Sequence, residues 1–186
     1  WNVEDGKIIV DGGATSLLCT SMPWLNYELQ LEYRCADGTD SGVFLRTPLQ
    51  PEGSGSDCFE INIDDDDSEF PTGSIVNREK SSFQATKNSH SDWNKLTIRV
   101  DGNNIDVSIN DEQVASYDDP VGFPAGRIGL QHNTGKVEFR DVRLKPISLE
   151  NLIDKKLSKW TKYPNMPGEF SVTKDGDLHV QGGRTQ

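Results

Sequence analysis

The chain has 186 residues, of which 33% are hydrophobic, and its 30 Asp and Glu residues against 19 Lys and Arg give a formal net charge of −11. So acidic a chain argues against a nucleic-acid partner, because binding to nucleic acid requires Lys and Arg to neutralise phosphates. No run of about 18 apolar residues is present, which excludes a membrane-spanning helix. The length predicts one domain with an attachment.

Apolar and polar residues alternate along much of the chain. The alternation is clear at 27–34, 95–100 and 105–109. Because the side chains of a strand point alternately to its two faces, each of these segments is predicted to be a half-buried strand. The stretch DGNN at 101–104 predicts a hairpin turn between the last two, since Gly and Asn tolerate the positive φ of such turns.

The segment KVEFRDVRLKP (136–146) changes phase part-way. Its apolar residues are odd-numbered in the first half and even-numbered in the second. Such a change requires one extra residue, which predicts a β-bulge near Arg140 and Asp141. Pro146 is expected to end the strand, because proline lacks the N–H that the ladder needs.

The fold class follows from the number and spacing of these segments. About ten short strands with Gly-rich turns, and little helical periodicity before residue 148, predict an all-β protein built as an antiparallel β-sandwich. Residues 148–160 are predicted to form one short helix with Ser148 as its N-cap. A strand-like tail follows at 170–183.

The tail repeats the beginning of the chain. FSVTKDGDLHVQGG (170–183) aligns with WNVEDGKIIVDGG (1–13) once one extra residue is allowed at Lys174. Such self-similarity is typical of tandem copies of one unit, although two hairpins with DG turns also resemble each other by chance. We therefore divide the chain into a domain at 1–147 and, at 148–186, a linker, a helix and the start of a second repeat. This tail is expected to dock onto the domain or to exchange with another copy in a homodimer.

Two predicted strands place polar side chains on one face. In the stretch FEINID the apolar residues point to the core, so that Glu60, Asn62 and Asp64 lie on the opposite face. In SGVFLR, Phe44 and Arg46 take the corresponding phase. An aromatic ring for the apolar side of a sugar, with acid, amide and guanidinium partners for its hydroxyls, is typical of carbohydrate sites. An ordinary solvated sheet face has the same alternation.

The sequence predicts neither a metal nor a cofactor. The acidic run at 64–69 lacks the Gly-turned spacing of an EF-hand, so a solvated loop is expected, with bound calcium as the alternative. The cysteines, Cys19, Cys35 and Cys58, have no CxxC spacing. They are expected to be small buried apolar residues rather than zinc ligands.

Five segments carry a family resemblance. They are SGVFLR (41–46), CFEINIDD (58–65), TGSIV (72–76), WNKLTIRVDGNNIDVSIND (93–111) and GRIGLQHNTGKVEFRDVRLKPI (126–147). In order and approximate spacing they resemble the 3-keto-disaccharide hydrolase domain family of the concanavalin A-like lectin/glucanase superfamily. The resemblance covers residues 1–147 and implies a concanavalin A-like jelly roll, a carbohydrate ligand and a secreted or periplasmic location.

The resemblance also implies a chemistry. The carbonyl at C3 of a 3-keto glycoside makes the C2 proton acidic, and its removal gives an enolate that expels the substituent on C1 before water adds. This reaction needs a base, a group that stabilises the enolate and an acid for the leaving oxygen. We predict Glu60 or Asp64 as the base, Arg46 as the cation and His132 as the acid.

Four further residues are predicted to bind the substrate, namely Phe44, Asn62, Arg78 and Gln131. Two alternatives use the same face. A lectin-like carbohydrate-binding module would bind a sugar without turnover. A laminarinase-like glycoside hydrolase would use the E-x-N-x-D stretch as its E-x-D-x-E strand, but Asn62 lacks the central charge of that motif. The chain also departs from the family pattern at Asn62 and Val76, where the family usually has Gln and Tyr.

Overall fold

The computed structural model describes residues 1–85, 92–147, 151–162, 164–165 and 167–182. The chain divides into two compact units, Trp1–Ser148 and Leu149–Gln186. The strands of the described residues are β1 (Asn2–Glu4), β2 (Lys7–Asp11), β3 (Ser16–Cys19), β4 (Tyr27–Cys35), β5 (Asp40–Thr47), β6 (Phe59–Ile63), β7 (Asn94–Asp101), β8 (Asn104–Ile109), β9 (Glu112–Asp118), β10 (Arg127–Thr134), β11 (Lys136–Pro146), β12 (Glu169–Val172) and β13 (Leu178–Gln181). None of the described residues belongs to a helix long and apolar enough to cross a membrane.

The first unit consists of two antiparallel sheets, which confirms the predicted β-sandwich. One sheet has seven strands in the order β1-β2-β11-β4-β7-β8-β9, and the other has four in the order β3-β10-β5-β6. Both sheets contribute to one core, for example through Leu29 and Leu31 of β4 and Val43 and Ile61 of the smaller sheet. Each such side chain is fully or almost fully buried. Burial of this kind stabilises the fold by about 1.5–3 kcal/mol per side chain.

The strand predictions that rest on alternation are confirmed. Burial alternates at every residue of β4, as expected for a strand with one face on the core. The predicted bulge in β11 is present, since its register with β4 shifts between Arg140 and Arg143 and Asp141 has φ 49°. The strand ends at Pro146 as predicted.

The outer edge of β6 is covered by the segment 72–76. The backbone N–H of Asn62 donates to Ser74 O at 3.0 Å. The backbone N–H groups of Gly73 and Val76 donate to Asn62 O at 2.8 Å and to Glu60 O at 3.0 Å, respectively. Together with β5 on its other side, this segment gives β6 hydrogen-bonded neighbours along both edges.

The predicted helix at 148–160 is wrong for the residues that the structure describes. Residues 151–160 form turns, whereas Ser148 lies outside the described residues. Asp154 Oδ1 accepts hydrogen bonds from the amides of Lys156 and Ser158 at 2.9 and 3.0 Å, and Leu157 has φ 53°. An Asp side chain that binds nearby amides in this way offers the backbone a turn in place of a helix.

The strand-like tail is present as a separate hairpin of β12 and β13 in the second unit. Whether this unit docks onto the first or exchanges between copies stays a prediction. In the first unit all three cysteines are free thiols, with Cys35 and Cys58 buried and Cys19 half-buried.

Candidate functional site

The four-stranded sheet brings several predicted residues together on its outer face. Phe44 of β5 lies opposite Glu60 of β6, and Gly42 lies opposite both Asn62 of β6 and Gln131 of β10. The residues between them along each strand point into the core. Because side chains alternate along a strand, the four side chains share the opposite surface. We refer to Phe44, Glu60, Asn62 and Gln131 as the site face.

Glu60 and Gln131 converge above Gly42. A Cβ atom at Gly42 would lie 3.0 Å from Glu60 Oε1 and 3.3 Å from Gln131 Oε1. These separations are tight for carbon and oxygen, so that only glycine leaves the room that the two side chains now use. The Glu60 side chain is accordingly well enclosed, and the residue is only 9% exposed.

The surroundings of Glu60 raise the pKa of its carboxyl group. Burial is the main cause, and the nearby charge of Asp40 adds to it, whereas hydrogen bonds with the side chains of Ser54 and Gln131 act in the opposite direction. A raised pKa makes a carboxylate a stronger base than an ordinary glutamate. Glu60 thus combines an enclosed position on the site face with a raised pKa.

Arg78 is connected to this region through Ser54. Its Nη1 donates to the carbonyl oxygen of Ser54. Its guanidinium carbon lies 4.6 Å from the centre of the Phe59 ring and 5.6 Å from that of Phe123, which are cation–π distances. Arg78 therefore positions the segment between β5 and β6 whose Ser54 contacts Glu60. It lies beside the site face rather than on it.

Arg46 does not join the site face, contrary to the prediction. It has φ 51° and lies where the register of β5 with β10 shifts. The residue is 4% exposed. Its guanidinium donates to the carbonyl oxygens of Leu25, Gly102 and Phe123 at 3.0, 2.5 and 3.1 Å. The bulge turns the side chain toward the three connecting segments that carry these carbonyl oxygens. Its hydrogen bonds hold the three segments together.

His132 also lies apart from the site face. It has the same phase along β10 as Ile128 and Leu130, which belong to the core, and it is fully buried. The His132 Nε2 atom lies 2.9 Å from the Gly135 carbonyl oxygen. Its neighbour Gln131 points to the opposite surface, so the acid role predicted for His132 has no geometric support.

Asn62 and Asp64 are held by the acidic loop that follows β6. The Asn62 Nδ2 atom donates to Phe70 O at 2.6 Å, while Asp64 Oδ1 accepts from the amides of Asp66 and Asp67 at 2.9 and 3.2 Å. Burial raises the pKa of Asp64, although the Asp66 amide opposes the effect. Both side chains therefore help to fix the loop. Asn62 uses its side-chain nitrogen, and not its side-chain oxygen, for this contact.

Asp40 and Ser54 were missed by the sequence analysis. Asp40 has the same phase along β5 as Phe44, so the alternation that identified Phe44 applies equally to it. Its Oδ2 atom accepts from Asn133 Nδ2 at 2.6 Å, and its charge raises the pKa of Glu60. Ser54 lies in a Gly-rich connection without any periodicity, and no signal in the sequence indicates its contact with Glu60.

The acidic loop was the alternative place for calcium. No group of three or more His, Cys, Asp and Glu residues that could hold a metal ion is found among the residues described above. A solvated loop without bound calcium stays a prediction.

A family model for the 3-keto-α-glucoside-1,2-lyase-like domain matches residues 1–145. The chain belongs to this family. No curated protein matches the chain. The match to the family covers every strand of the sandwich up to the last residue but one of β11, and it includes the whole site face.

Solved structures share the fold of this family member. A proposed glycosyl hydrolase from Parabacteroides distasonis is 18% identical, with a TM-score of 0.69 over 80% of this chain and 83% of its own. A second one from that organism is 22% identical, with a TM-score of 0.67 over 79% and 90%. The carbohydrate-binding module CBM66 from Bacillus subtilis is 14% identical, with a TM-score of 0.53 over 75% and 95%. The chain thus shares the antiparallel β-sandwich fold of these structures.

Proposed function

We propose that the first unit cleaves 3-keto glycosides and that Glu60 is the base of the reaction. The observation that carries the proposal is the enclosed Glu60 carboxyl group on the outer face of the four-stranded sheet, where Gln131 and Ser54 contact it. Membership of the 3-keto-α-glucoside-1,2-lyase-like family supports this choice of substrate. The ligand is accordingly a carbohydrate, and a secreted or periplasmic location stays a prediction from the family.

The proposed reaction begins at C2 of the oxidised sugar ring. The Glu60 carboxylate removes the C2 proton, and the electron pair of that C–H bond moves toward the C3 carbonyl to give an enolate. Collapse of the enolate breaks the bond between C1 and the leaving oxygen, and this oxygen takes up the proton that Glu60 removed from C2. Water then adds across the new double bond, so that the net reaction is hydrolysis. The enclosed setting strengthens the electrostatic interactions on which these steps depend.

The remaining groups of the site are assigned by their placement. Gln131 and Asn62 supply amide groups for the sugar hydroxyls, and Phe44 supplies an aromatic surface. Arg78 takes the role of the cation beside the enolate, because its half-buried guanidinium binds the carbonyl oxygen of Ser54, the residue that contacts Glu60. The Nη1 atom of Arg78 is occupied by carbonyl oxygens of Ser54 and Val76, which fixes the position of the guanidinium group.

The test is the release of free sugar from a 3-keto disaccharide. We expect turnover by the unaltered chain and a loss of about 10²–10⁴-fold in Glu60→Gln, the range typical of a removed general base. Glu112→Gln is the matched control, because Glu112 is exposed on β9 of the other sheet. Full activity of a folded Glu60→Gln variant would rule out Glu60 as the base.

A carbohydrate-binding module is the second candidate. The fold shared with CBM66 favours it. Calorimetric titration separates the two, since a module binds the sugar and releases no product, and binding should then weaken in Gln131→Ala. Binding without turnover across a panel of 3-keto glycosides would favour the module over the enzyme.

A further inference from the structure

The hairpin of β12 and β13 repeats the opening hairpin of β1 and β2 in its register as well as in its sequence. In the opening hairpin Val3 lies opposite Ile8. In the second hairpin Val172 lies opposite Leu178, and these are the residues that the sequence alignment pairs with Val3 and Ile8. Two chance hairpins with similar turns need not share the pairing of their apolar residues. The agreement therefore favours a repeated structural element.

In the first unit one face of the opening hairpin is packed against the sandwich. β2 pairs with β11, so that Ile8 lies opposite Phe139 and Val10 opposite Val137. Val10 is 5% exposed, and Ile8 packs against the core. The ring of Trp1 stacks on Phe139 with 6.5 Å between the ring centres. This face is thus the one by which the hairpin is attached to its domain.

The equivalent positions of the second hairpin are exposed. Phe170, Leu178 and Val180 correspond to Trp1, Ile8 and Val10, and they are 48%, 42% and 51% exposed. Phe170 and Leu178 border a groove of about 580 Å³ within the second unit, whose lining includes Trp160 and Leu157. An exposed apolar surface of this kind is typical of an interaction site, and an isolated two-stranded hairpin is at best marginally stable.

We infer that this face of the β12–β13 hairpin is a docking surface for a β-sandwich unit of the same kind as residues 1–148. In that unit the hairpin would occupy the place that β1 and β2 occupy here. Strand β13 would pair with the counterpart of β11, and Leu178 and Val180 would face the counterparts of Phe139 and Val137. The unit bound must lack its own opening hairpin, because in the first unit of this chain β2 already fills the place.

The experiment uses this chain as the acceptor. Val10→Asp weakens the hold of the opening hairpin, since it places a charge at a buried position. Phe170→Ser and Val180→Ser in the same chain prevent its own tail from competing. The probe is a synthetic peptide of residues 167–182, and the matched control is the same peptide with those two serine substitutions. Fluorescence anisotropy measures binding, and thermal unfolding measures stabilisation.

We expect the unaltered peptide to bind the acceptor about tenfold or more tightly than the serine peptide and to raise the Tm of the acceptor. The chain with intact Val10 should not bind the peptide. Equal binding of the two peptides, or no binding to a folded acceptor, would overturn the inference. If the Val10→Asp acceptor does not fold alone, the same titration is made with Val10→Ala. Recovery of cooperative unfolding after refolding with the unaltered peptide, but not with the serine peptide, then supports the inference. If neither acceptor recovers cooperative unfolding in this way, the inference is rejected.

Discussion

The role of Arg46 is decided by a single backbone angle. In an unbroken strand its side chain would lie on the same face as Phe44, two residues before it. At φ 51° the chain instead turns it toward the carbonyl oxygens of Leu25, Gly102 and Phe123. A buried guanidinium that satisfies several backbone acceptors is expected to contribute to stability rather than to catalysis.

Replacing Arg46 by alanine should therefore destabilise the first unit. Because three partly buried carbonyl oxygens lose a charged donor, we expect the free energy of unfolding to fall by about 3 kcal/mol. Urea denaturation measures the change. Arg143→Ala is the control, since the Arg143 side chain is 71% exposed and its loss should cost less than about 0.5 kcal/mol. A change at Arg46 as small as that of the control would contradict the structural role.

Glu60 should reduce stability at neutral pH even though the proposed reaction needs it. Its pKa is higher in the folded chain than its ordinary value, so the folded state favours the protonated form. The contribution of Glu60 to stability is therefore present below its ordinary pKa of about 4.3 and is lost as the pH rises through the raised pKa.

It follows that Glu60→Gln should have a higher Tm than the unaltered chain at pH 7. The difference should disappear as the pH falls below about 4.3, where the unfolded chain also protonates the carboxyl group. Thermal unfolding across this pH range is the measurement, and exposed Glu112→Gln serves as the reference. A lower Tm for Glu60→Gln at pH 7 would show that its hydrogen bonds with Ser54 and Gln131 outweigh the cost of burial.

At the scale of strands, alternation revealed most of the fold and part of the site. It identified β4, β7 and β8 and placed Phe44, Glu60 and Asn62 on one surface. The bulge at Asp141 could be predicted because apolar residues on both sides of it show the change of phase. Arg46 is followed by Thr47 and a proline. The strand therefore has no apolar residue after Arg46 that would show a change of phase at the bulge.

Other features depend on contacts between residues far apart in the sequence or on local competition. The contact of Ser54 with Glu60 comes from a connection without periodicity. The helix predicted at 148–160 fails at Asp154, whose side chain binds the amides of Lys156 and Ser158. Composition and apolar spacing do not show which of two local hydrogen-bonding patterns the backbone adopts.

The junction of β5, β6 and β10 is sensitive at Gly42. In Gly42→Ala the new methyl group would lie 3.0 Å from Glu60 Oε1 and 3.2 Å from Ile61 O, so the carboxyl group must move. We expect sugar affinity or turnover to fall about tenfold or more, because small displacements of a reacting group are costly. Gly55→Ala is the control, since its Cβ would meet only Asn77 Nδ2 at 3.6 Å.

Assays of sugar binding and sugar release, together with circular dichroism to show that the fold is retained, test this prediction. A folded Gly42→Ala chain with unchanged binding and turnover would show that the reaction does not depend on the present position of Glu60.

At the scale of the whole molecule, the first unit is complete in its strand pairing. Every strand from β1 to β11 pairs with other strands of the same unit, and its core consists of residues between Val10 and Phe139. The stability of the sandwich should therefore not depend on the second unit.

A chain that ends at residue 148 is accordingly expected to unfold within about 2 °C of the full chain, a change that corresponds to about 0.5–1 kcal/mol for a domain of this size. Differential scanning calorimetry measures the two values of Tm, and sugar binding by both chains checks that the site is unaffected. A Tm lower by about 5 °C or more would show that the tail supports the sandwich, as the docking alternative requires.

The pairing of segment 72–76 with β6 has a consequence for the way a ligand can approach. Because β6 has hydrogen-bonded neighbours on both sides, no extended peptide can recognise it by joining the sheet as an added strand. A ligand of Glu60 must therefore approach from the face of the sheet, past the side chains of the site face. Recognition at this surface therefore depends on side chains and not on backbone pairing with β6.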